Sequence, residues 1–524
     1  LVGSEMCIRD RPDRLLCGAR PLPLDREKTD GTLPAFPGER VIAGLAMAAY
    51  DYDIGIIGGG AAGLTVASGA AQLGAKTVLV EQDRLLGGDC LHFGCVPSKT
   101  LIKSASVYHQ LSRQHVFGLP QVSPRPVDFK AIKNRIQQVI STIQHHDSVE
   151  RFKGLGVDVQ FGEASFNDAH LVDTGMAKIS ARKWVVATGS SPASLPLPGL
   201  AEIQTLTNRE IFSLDYLPAA LIIIGAGPIG IEMAQAFSRL GSKVTVLQRS
   251  PQILSSEDAD LADELTRILE NEGIIFHLGC TMLSAEADGD LKIIALRTSD
   301  GQNLEVTGTD ILVAAGRQVN VEGLALDKAG VAYERKGIGV DRRLRTSAAH
   351  IFAAGDVVGG YQFTHAAGYE GGIIVANAVM GLPRKLNYRW MPHCTYSDPE
   401  LGGMGLNEKM ALERNIRYEV FEEKFVDNDR AQAEGEISGR IKVLFNPKGK
   451  VLGVRILGCH AGDLLAQWVG LLNGSVKMSV AAGSVHPYPT VAEINKRVIG
   501  SYFSGKIFSD KVRKILKLIH NYRG

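Results

Sequence analysis

Two short runs of glycine constrain this chain more than any other feature. Asp53-Ile54-Gly55-Ile56-Ile57 is an apolar strand run, followed by Gly58-Gly59-Gly60-Ala61-Ala62-Gly63 and a helical pattern to Leu73. Strand Lys76–Val80 comes next and ends in Glu81. The unit recurs. Leu221-Ile222-Ile223-Ile224 leads into Gly225-Ala226-Gly227-Pro228-Ile229-Gly230, a helix to Leu240, and strand Lys243–Leu247 ending in Gln248-Arg249. In G-x-G-x-x-G between a strand and a helix, the glycines let the backbone approach a pyrophosphate and the helix N-terminus binds it. Gly58, Gly60 and Gly63 therefore predict a dinucleotide site in which Glu81 takes a ribose hydroxyl. Gly225, Gly227 and Gly230 predict a second. There the usual acid is absent and Arg249 stands near its place. A guanidinium pairs with a 2′-phosphate, which favours NADPH and leaves NADH open; the alternative is a solvated surface arginine.

A chain of 524 residues is too long for one hydrophobic core, so about three domains are expected. The 58 glycines suit several nucleotide loops. A net charge of +1 gives no reason to expect a nucleic acid, and no run of eighteen or more apolar residues predicts a membrane span. Seven cysteines over this length do not make a secreted disulfide framework, so a reducing cytoplasm fits best. Residues 1–46 lack clear periodicity and read as a disordered or artefactual tail, with Met47 as the natural start.

The second informative stretch is Leu86-Gly87-Gly88-Asp89-Cys90-Leu91-His92-Phe93-Gly94-Cys95-Val96-Pro97-Ser98-Lys99. On an ideal helix residues i and i+5 are about 8–9 Å apart at Cα, whereas a disulfide needs about 4.4–6.8 Å. Cys90 and Cys95 can bond only if the first helical turn is distorted, and the neighbouring glycines allow that. A helix N-terminus also favours a thiolate. The segment reads as a reactive dithiol or disulfide. Zinc and inert core cysteines are the alternatives; neither a second pair of soft ligands nor a need for the glycines supports them. A nicotinamide cannot sit permanently beside a disulfide and also come from solution, whereas a flavin can, so FAD is expected at the first fingerprint. Lys99, one turn beyond Cys95, would hold charge near it, with Glu232 as partner across a domain junction. No metal is expected.

Further on, Val185-Val186-Ala187-Thr188-Gly189 ends a strand, residues 192–198 read as a crossover, and Ile311–Gly316 ends the second dinucleotide domain. Ile351-Phe352-Ala353-Ala354-Gly355-Asp356 is another strand with an acid at its C-terminal end, where α/β sheets bind ligands. From Tyr388 the pattern changes to hairpins and helices of an α+β domain. The segment Lys506–His520 puts Ile507, Phe508, Val512, Ile515, Leu516 and Ile519 mostly on one face. Such a basic amphipathic helix can lie on anionic lipid, but packing on its own protein is the favoured expectation.

These motifs together resemble the flavoprotein disulfide reductases: dihydrolipoamide dehydrogenase, glutathione reductase and mercuric reductase. The resemblance spans about residues 50–505. It implies an α/β fold with two Rossmann-like dinucleotide-binding domains and a C-terminal α+β dimerisation domain. The implied boundaries are 47–190 and 319–387 for FAD, 191–318 for NAD(P), 388–505 for the homodimer interface, and 506–524 for the terminal helix. By resemblance, Cys95 is the thiolate against the flavin and Cys90 meets substrate. Thr188, Gly189 and Gly316 line the cofactor clefts, Asp356 binds the ribityl chain, Thr364 lies near the flavin's O2 edge, and Lys99 and Glu232 form an ion pair. The implied activity passes electrons from NADPH through FAD to Cys90–Cys95 and on to a small-molecule acceptor that the sequence does not name.

One motif departs from the family. Thiol-disulfide members carry His-Pro-Thr-x-x-Glu, in which the histidine is the acid/base. Here Tyr488-Pro489-Thr490-Val491-Ala492-Glu493 aligns, leaving Tyr488 with Glu493, and His486 falls two residues early on the wrong phase. A phenol with pKa near about 10 does not shuttle protons at neutral pH as imidazole does. Efficient dihydrolipoamide or glutathione turnover is not expected, and mercuric reductases, which share the tyrosine, are the nearest likeness. Yet the C-terminal cysteine pair and N-terminal Cys-x-x-Cys of those enzymes are absent. Dihydrolipoamide dehydrogenase is the runner-up, and a flavin-bound redox sensor without turnover is the reading from another class. Asp89 is expected to raise the pKa of Cys90, and His92 either relays a proton or bonds to nearby backbone. Cys280, Cys394 and Cys459 are expected as packed core thiols.

Overall fold

The computed structural model describes residues 50–122 and 125–523. The expected tail 1–46 lies outside them. Near-continuous apolar runs predict strands buried on both faces, as in a parallel sheet. Such a sheet forms from Val157–Phe161, Thr77–Glu81, Tyr52–Ile57, Lys178–Val186 and Ile351–Ala353, side by side in that order and all parallel. Ile54, Ile56, Val66 and Ala67 pack on one face with the helices Ala61–Gln72 and Thr364–Ile374. Ile57, Val78, Trp184 and Ile351 fill the other. The last strand arrives only after a second sheet has been built. That sheet runs Ile275–Leu278, Lys243–Gln248, Ala220–Ile224, Asp310–Val313, again parallel.

The chain leaves the first sheet and returns along one strap. Ser190–Pro192 pairs antiparallel with Arg317–Val319, so the outgoing proline-rich segment and the incoming strand lie side by side. Both glycine loops therefore open toward the same junction.

The C-terminal region is a five-stranded antiparallel sheet, ordered His393–Thr395, Glu400–Gly405, Val451–Gly458, Arg440–Phe445, Glu419–Lys424. Helices Ala461–Asn473 and Glu493–Ile507 cover one face through Trp468, Ile494 and Val498. The other face buries Lys442 and Arg455 at 1% exposure each. Lys442 Nζ is bonded to Asp260 at 2.9 Å and to Glu408, and Arg455 Nε is 3.1 Å from Glu257. Through Asp260 and Glu257 these pairs join the sheet to the start of the helix Ala259–Asn271 and the loop before it in the preceding domain. The lysine ammonium already bridges Asp260 and Glu408 and lies 3.6 Å from Asp258, a cluster that could otherwise hold a cation.

Two expectations change at the C-terminus. The pattern over Lys506–His520 is not one helix: Glu493–Ile507 ends, Phe508 and Ser509 break the run, and Asp510–Arg523 starts anew. Nor does that last helix pack on the chain, since Ile515, Leu516 and Ile519 stay 48%, 47% and 42% exposed. Among the described residues no helix is long and apolar enough to cross a membrane.

Candidate functional site

The two glycine loops are built alike. A Cβ on Gly63 would lie 1.8 Å from the Gly58 carbonyl oxygen, and one on Gly230 would lie 1.9 Å from that of Gly225. Gly58 and Gly225 have φ of +106° and +110°, a region open to glycine and costly for other residues. The helices that follow, Ala61–Gln72 and Pro228–Leu240, have no side-chain cap, so their first N–H groups face outward, as an anion-binding end does. The loops differ at the strand end. Glu81 is buried and its Oε2 accepts from Gly59 N at 2.6 Å, its Oε1 from Asp83 N at 2.9 Å. Gln248, not Arg249, takes the equivalent place, its Oε1 accepting from Ala226 N at 3.3 Å. Arg249 is exposed on the rim beside it. One cleft of about 1470 Å³ is lined by both loops, by Thr188, Gly189, Gly316, Asp356 and Thr364, and by the cysteine pair.

Between the loops the helix is broken as the spacing requires. Gly88–His92 is one short turn, Phe93 and Gly94 leave helical geometry, and Cys95–Arg113 restarts. A side chain at Gly94 would sit 3.2 Å from the Cys90 Cα. This close pass brings the two sulfurs together as free thiols. The Cys90 thiol donates to the Cys95 sulfur; that bond, Thr364 and the Lys99 charge outweigh burial and lower Cys95 to about 6. The same bond, with burial, pushes Cys90 up. Cys95 Sγ lies 3.4 Å from Thr364 Oγ1, at the start of its helix. Lys99 Nζ is 2.8 Å from Glu232 Oε2 across the domain junction, and Glu232 Oε1 accepts from Tyr396 N at 2.9 Å. The Tyr396 ring lies 4.5 Å from the ammonium.

Asp89 acts on an arginine rather than on its neighbour. Arg317 Nη2 is 3.0 Å from its Oδ2, Asn208 donates to both its oxygens, and Cys90 is raised by Cys95 and burial. Asp356 Oδ2 accepts from Ser190 Oγ at 2.6 Å, and its burial pushes the carboxyl above its usual range. His92 bonds to the Leu86 carbonyl, the backbone outcome. Cys280 and Cys459 are buried, whereas Cys394 is half-buried and lines the cleft. Arg317, Asn208, Asn320 and Tyr396 also line the cleft, and no motif in the sequence marks the last three. Arg317 directly follows Gly316 at a strand end, the signal that could have found it.

Tyr488 and Glu493 do not line this cleft. Tyr488 is 70% exposed and donates to Asp429 Oδ2 at 2.9 Å, which pushes its phenol up. His486 is tied to Gln467 at 3.0 Å. A smaller pocket of about 430 Å³ opens on Cys90 itself, lined by Thr65, Ser68, Val96, Phe152, Arg151 and Asp147 among others. Burial raises the Asp147 carboxyl.

Residues 52–371 match the pyridine nucleotide-disulphide oxidoreductases, and residues 391–499 match their dimerisation domain. A mercuric reductase of Bacillus cereus is 33% identical over 85% of this chain and 70% of its own length. A dihydrolipoyl dehydrogenase of Bacillus subtilis is 32% identical over 84% and 96%. The solved structure of RclA, an HOCl-induced flavoprotein disulfide reductase of Escherichia coli, superposes with a TM-score of 0.76 at 26% identity, covering 86% of this chain and 99% of that one.

Proposed function

The chain belongs to the pyridine nucleotide-disulphide oxidoreductases, and we propose that within this family it is an NADPH-linked reductase whose Cys90 delivers electrons to a small soft acceptor. It is an FAD-dependent NAD(P)H oxidoreductase of the disulfide type, with a dimerisation domain. In this reading residues 47–190 and 319–387 hold FAD, 191–318 receive the nicotinamide cofactor, and 388–505 join two copies. FAD suits the first loop because Glu81 is buried there at the strand end, where it would take a ribose hydroxyl; bound, FAD would supply two-electron exchange between nicotinamide and the cysteine pair.

The residues have separable tasks. Gly58, Gly60 and Gly63 admit one pyrophosphate, Gly225, Gly227 and Gly230 the other, and Arg249 receives a 2′-phosphate. Asp356, Thr188, Gly189, Gly316 and Thr364 border the space between. Lys99, held by Glu232 and Tyr396, keeps positive charge beside Cys95, and Cys95 is held as thiolate. Cys90 keeps its proton until an acceptor arrives from the smaller pocket. The 488–493 segment of a second copy closes the acceptor side, where Tyr488 offers no imidazole. That reading favours a soft acceptor over one needing acid/base help. A reducing compartment such as the cytoplasm suits the pair.

The observation that carries this proposal is the Cys90–Cys95 pair in the cleft lined by both glycine loops, with Cys95 lowered to about 6 and Cys90 also lining the smaller pocket. Cys90→Ser is expected to abolish acceptor reduction while NADPH still bleaches the flavin. Equal acceptor turnover in that variant rejects the dithiol route. Mercuric ion, dihydrolipoamide, oxidised glutathione and quinones compared in one assay decide the acceptor; strong dihydrolipoamide activity rejects the argument from Tyr488.

A further inference from the structure

Phe129–Gln144 and Asp510–Arg523 have comparable amphipathic patterns, and the chain buries the apolar face of only the first. Phe129–Gln144 turns Phe129, Ile136 and Ile140 into the core, where they are 3%, 0% and 7% exposed. Asp510–Arg523 has no such outlet. At 100° per residue, Val512, Ile515, Leu516, Ile519 and Tyr522 share one arc, and Arg513, Lys514 and Lys517 share the opposite one. Every one of these apolar side chains is exposed or half-buried, and Leu518, between the two arcs beside Lys511, is 63% exposed. The helix lies beyond residue 499, where the match to the dimerisation domain ends. Fourteen residues make a rod about 21 Å long, enough to bury an apolar stripe in a plane but too short to cross a bilayer.

What would cover this stripe must be apolar and negatively charged at once. Lys511, Arg513, Lys514 and Lys517 stand against one acid, Asp510, which is 3.8 Å from Arg513. Two such helices packed stripe to stripe would each bring Lys511, Arg513, Lys514 and Lys517 to the pair, and the two sets repel. A nucleic acid would neutralise the cations and leave the isoleucines and leucines in water. An anionic lipid surface meets both faces: acyl chains take the apolar arc, and phosphate headgroups take the lysines and arginine. We propose that Asp510–Arg523 is an in-plane membrane-surface anchor that seats the enzyme on anionic lipid. This does not depend on which acceptor the enzyme reduces.

The test uses the full-length, FAD-loaded protein and sucrose-loaded vesicles of phosphatidylcholine, with or without phosphatidylglycerol. Wild type is expected to sediment with the anionic vesicles about tenfold or more tightly than with neutral ones, and to be released by high salt. Ile515→Asp/Ile519→Asp and Lys514→Glu/Lys517→Glu are each expected to lose binding while NADPH-linked turnover in solution is unchanged. Wild type that stays in the supernatant with both vesicles overturns the proposal. So do double variants that bind as wild type. If Ile515→Asp/Ile519→Asp instead turns dimer into monomer by sedimentation equilibrium, the stripe covers a second copy and the proposal also falls.

Discussion

The two dinucleotide loops share a backbone and differ in one side chain's surroundings. In both, a positive-φ glycine starts the loop, and a later glycine lets the helix pass against the loop's own carbonyl. At the first, the strand ends in a buried carboxylate held by two N–H groups, and the Gly88 Cα lies 3.9 Å from where a Gly60 Cβ would be. At the second, the strand ends in an amide held by one N–H, an arginine waits on the rim, and a Cβ on Gly227 would meet open space. The first is closed over by the redox loop, as suits a resident cofactor. The second is open and cationic, as suits one that exchanges.

Steric substitution separates the loops most sharply. A methyl cannot fit 1.8–1.9 Å from a carbonyl oxygen without moving the helix. Gly63→Ala is expected to yield colourless protein of lowered stability. Gly230→Ala is expected to stay yellow but lose NADPH-driven bleaching by about a hundredfold or more, since removing cradle contacts costs about 3 kcal/mol. Absorbance at purification and stopped-flow bleaching check the pair. A yellow Gly63→Ala protein, or a Gly230→Ala protein bleached at the wild-type rate, would break the division of labour.

Charge separates them next. Arg249→Ala removes one charged partner of a 2′-phosphate, worth about 1.5–3 kcal/mol, so the KM for NADPH is expected to rise about 10–100-fold with NADH unchanged. Equal effects on both nucleotides make Arg249 the plain surface arginine that competes with this reading.

The seam between the loops titrates. In the reduced enzyme Cys95, lowered to about 6, is a thiolate at pH 7 and gains its proton as pH falls through that value. Its alkylation by iodoacetamide is therefore fast above about pH 6 and slow below. Lys99→Met removes one of the groups that lower it, and the midpoint is expected to climb by about half to one unit. The Cys90 hydrogen bond is the larger cause, so a shift larger than that would show that Lys99, not Cys90, holds the thiolate.

The parts of this arrangement that were legible in sequence are those encoded locally. Both glycine runs, the acid at Glu81 and the interrupted Cys90–Cys95 turn are read from spacing, because each contact joins residues close along the chain. The Lys99–Glu232 pair, 133 positions apart, is readable only because each residue sits at a fixed offset from a recognisable motif. Asp89 departs from its expected effect on Cys90 because its partners, Arg317 and Asn208, arrive from the second domain, and nothing near Asp89 announces them. The terminal helix shows the complementary failure. Its pattern equals that of Phe129–Gln144, and amphipathicity specifies a face without specifying what meets it.

The finest contrast is between Glu81 and Gln248, and it rests on counting donors. A carboxylate has two accepting oxygens, and Glu81 uses both, on Gly59 N–H and Asp83 N–H. An amide has one accepting oxygen and one donating nitrogen. Glu81→Gln therefore leaves one of those N–H groups facing an NH₂, a buried unsatisfied donor that costs about 1–3 kcal/mol. FAD affinity, measured by flavin release on dilution, is expected to weaken about tenfold. At the second loop the amide meets one N–H at 3.3 Å, so Gln248→Glu leaves that donor satisfied, and fold stability is expected to change by under about 0.5 kcal/mol. An equal stability loss in both variants would mean that strand-end chemistry is interchangeable and that the openness of the second loop alone separates the resident cofactor from the travelling one.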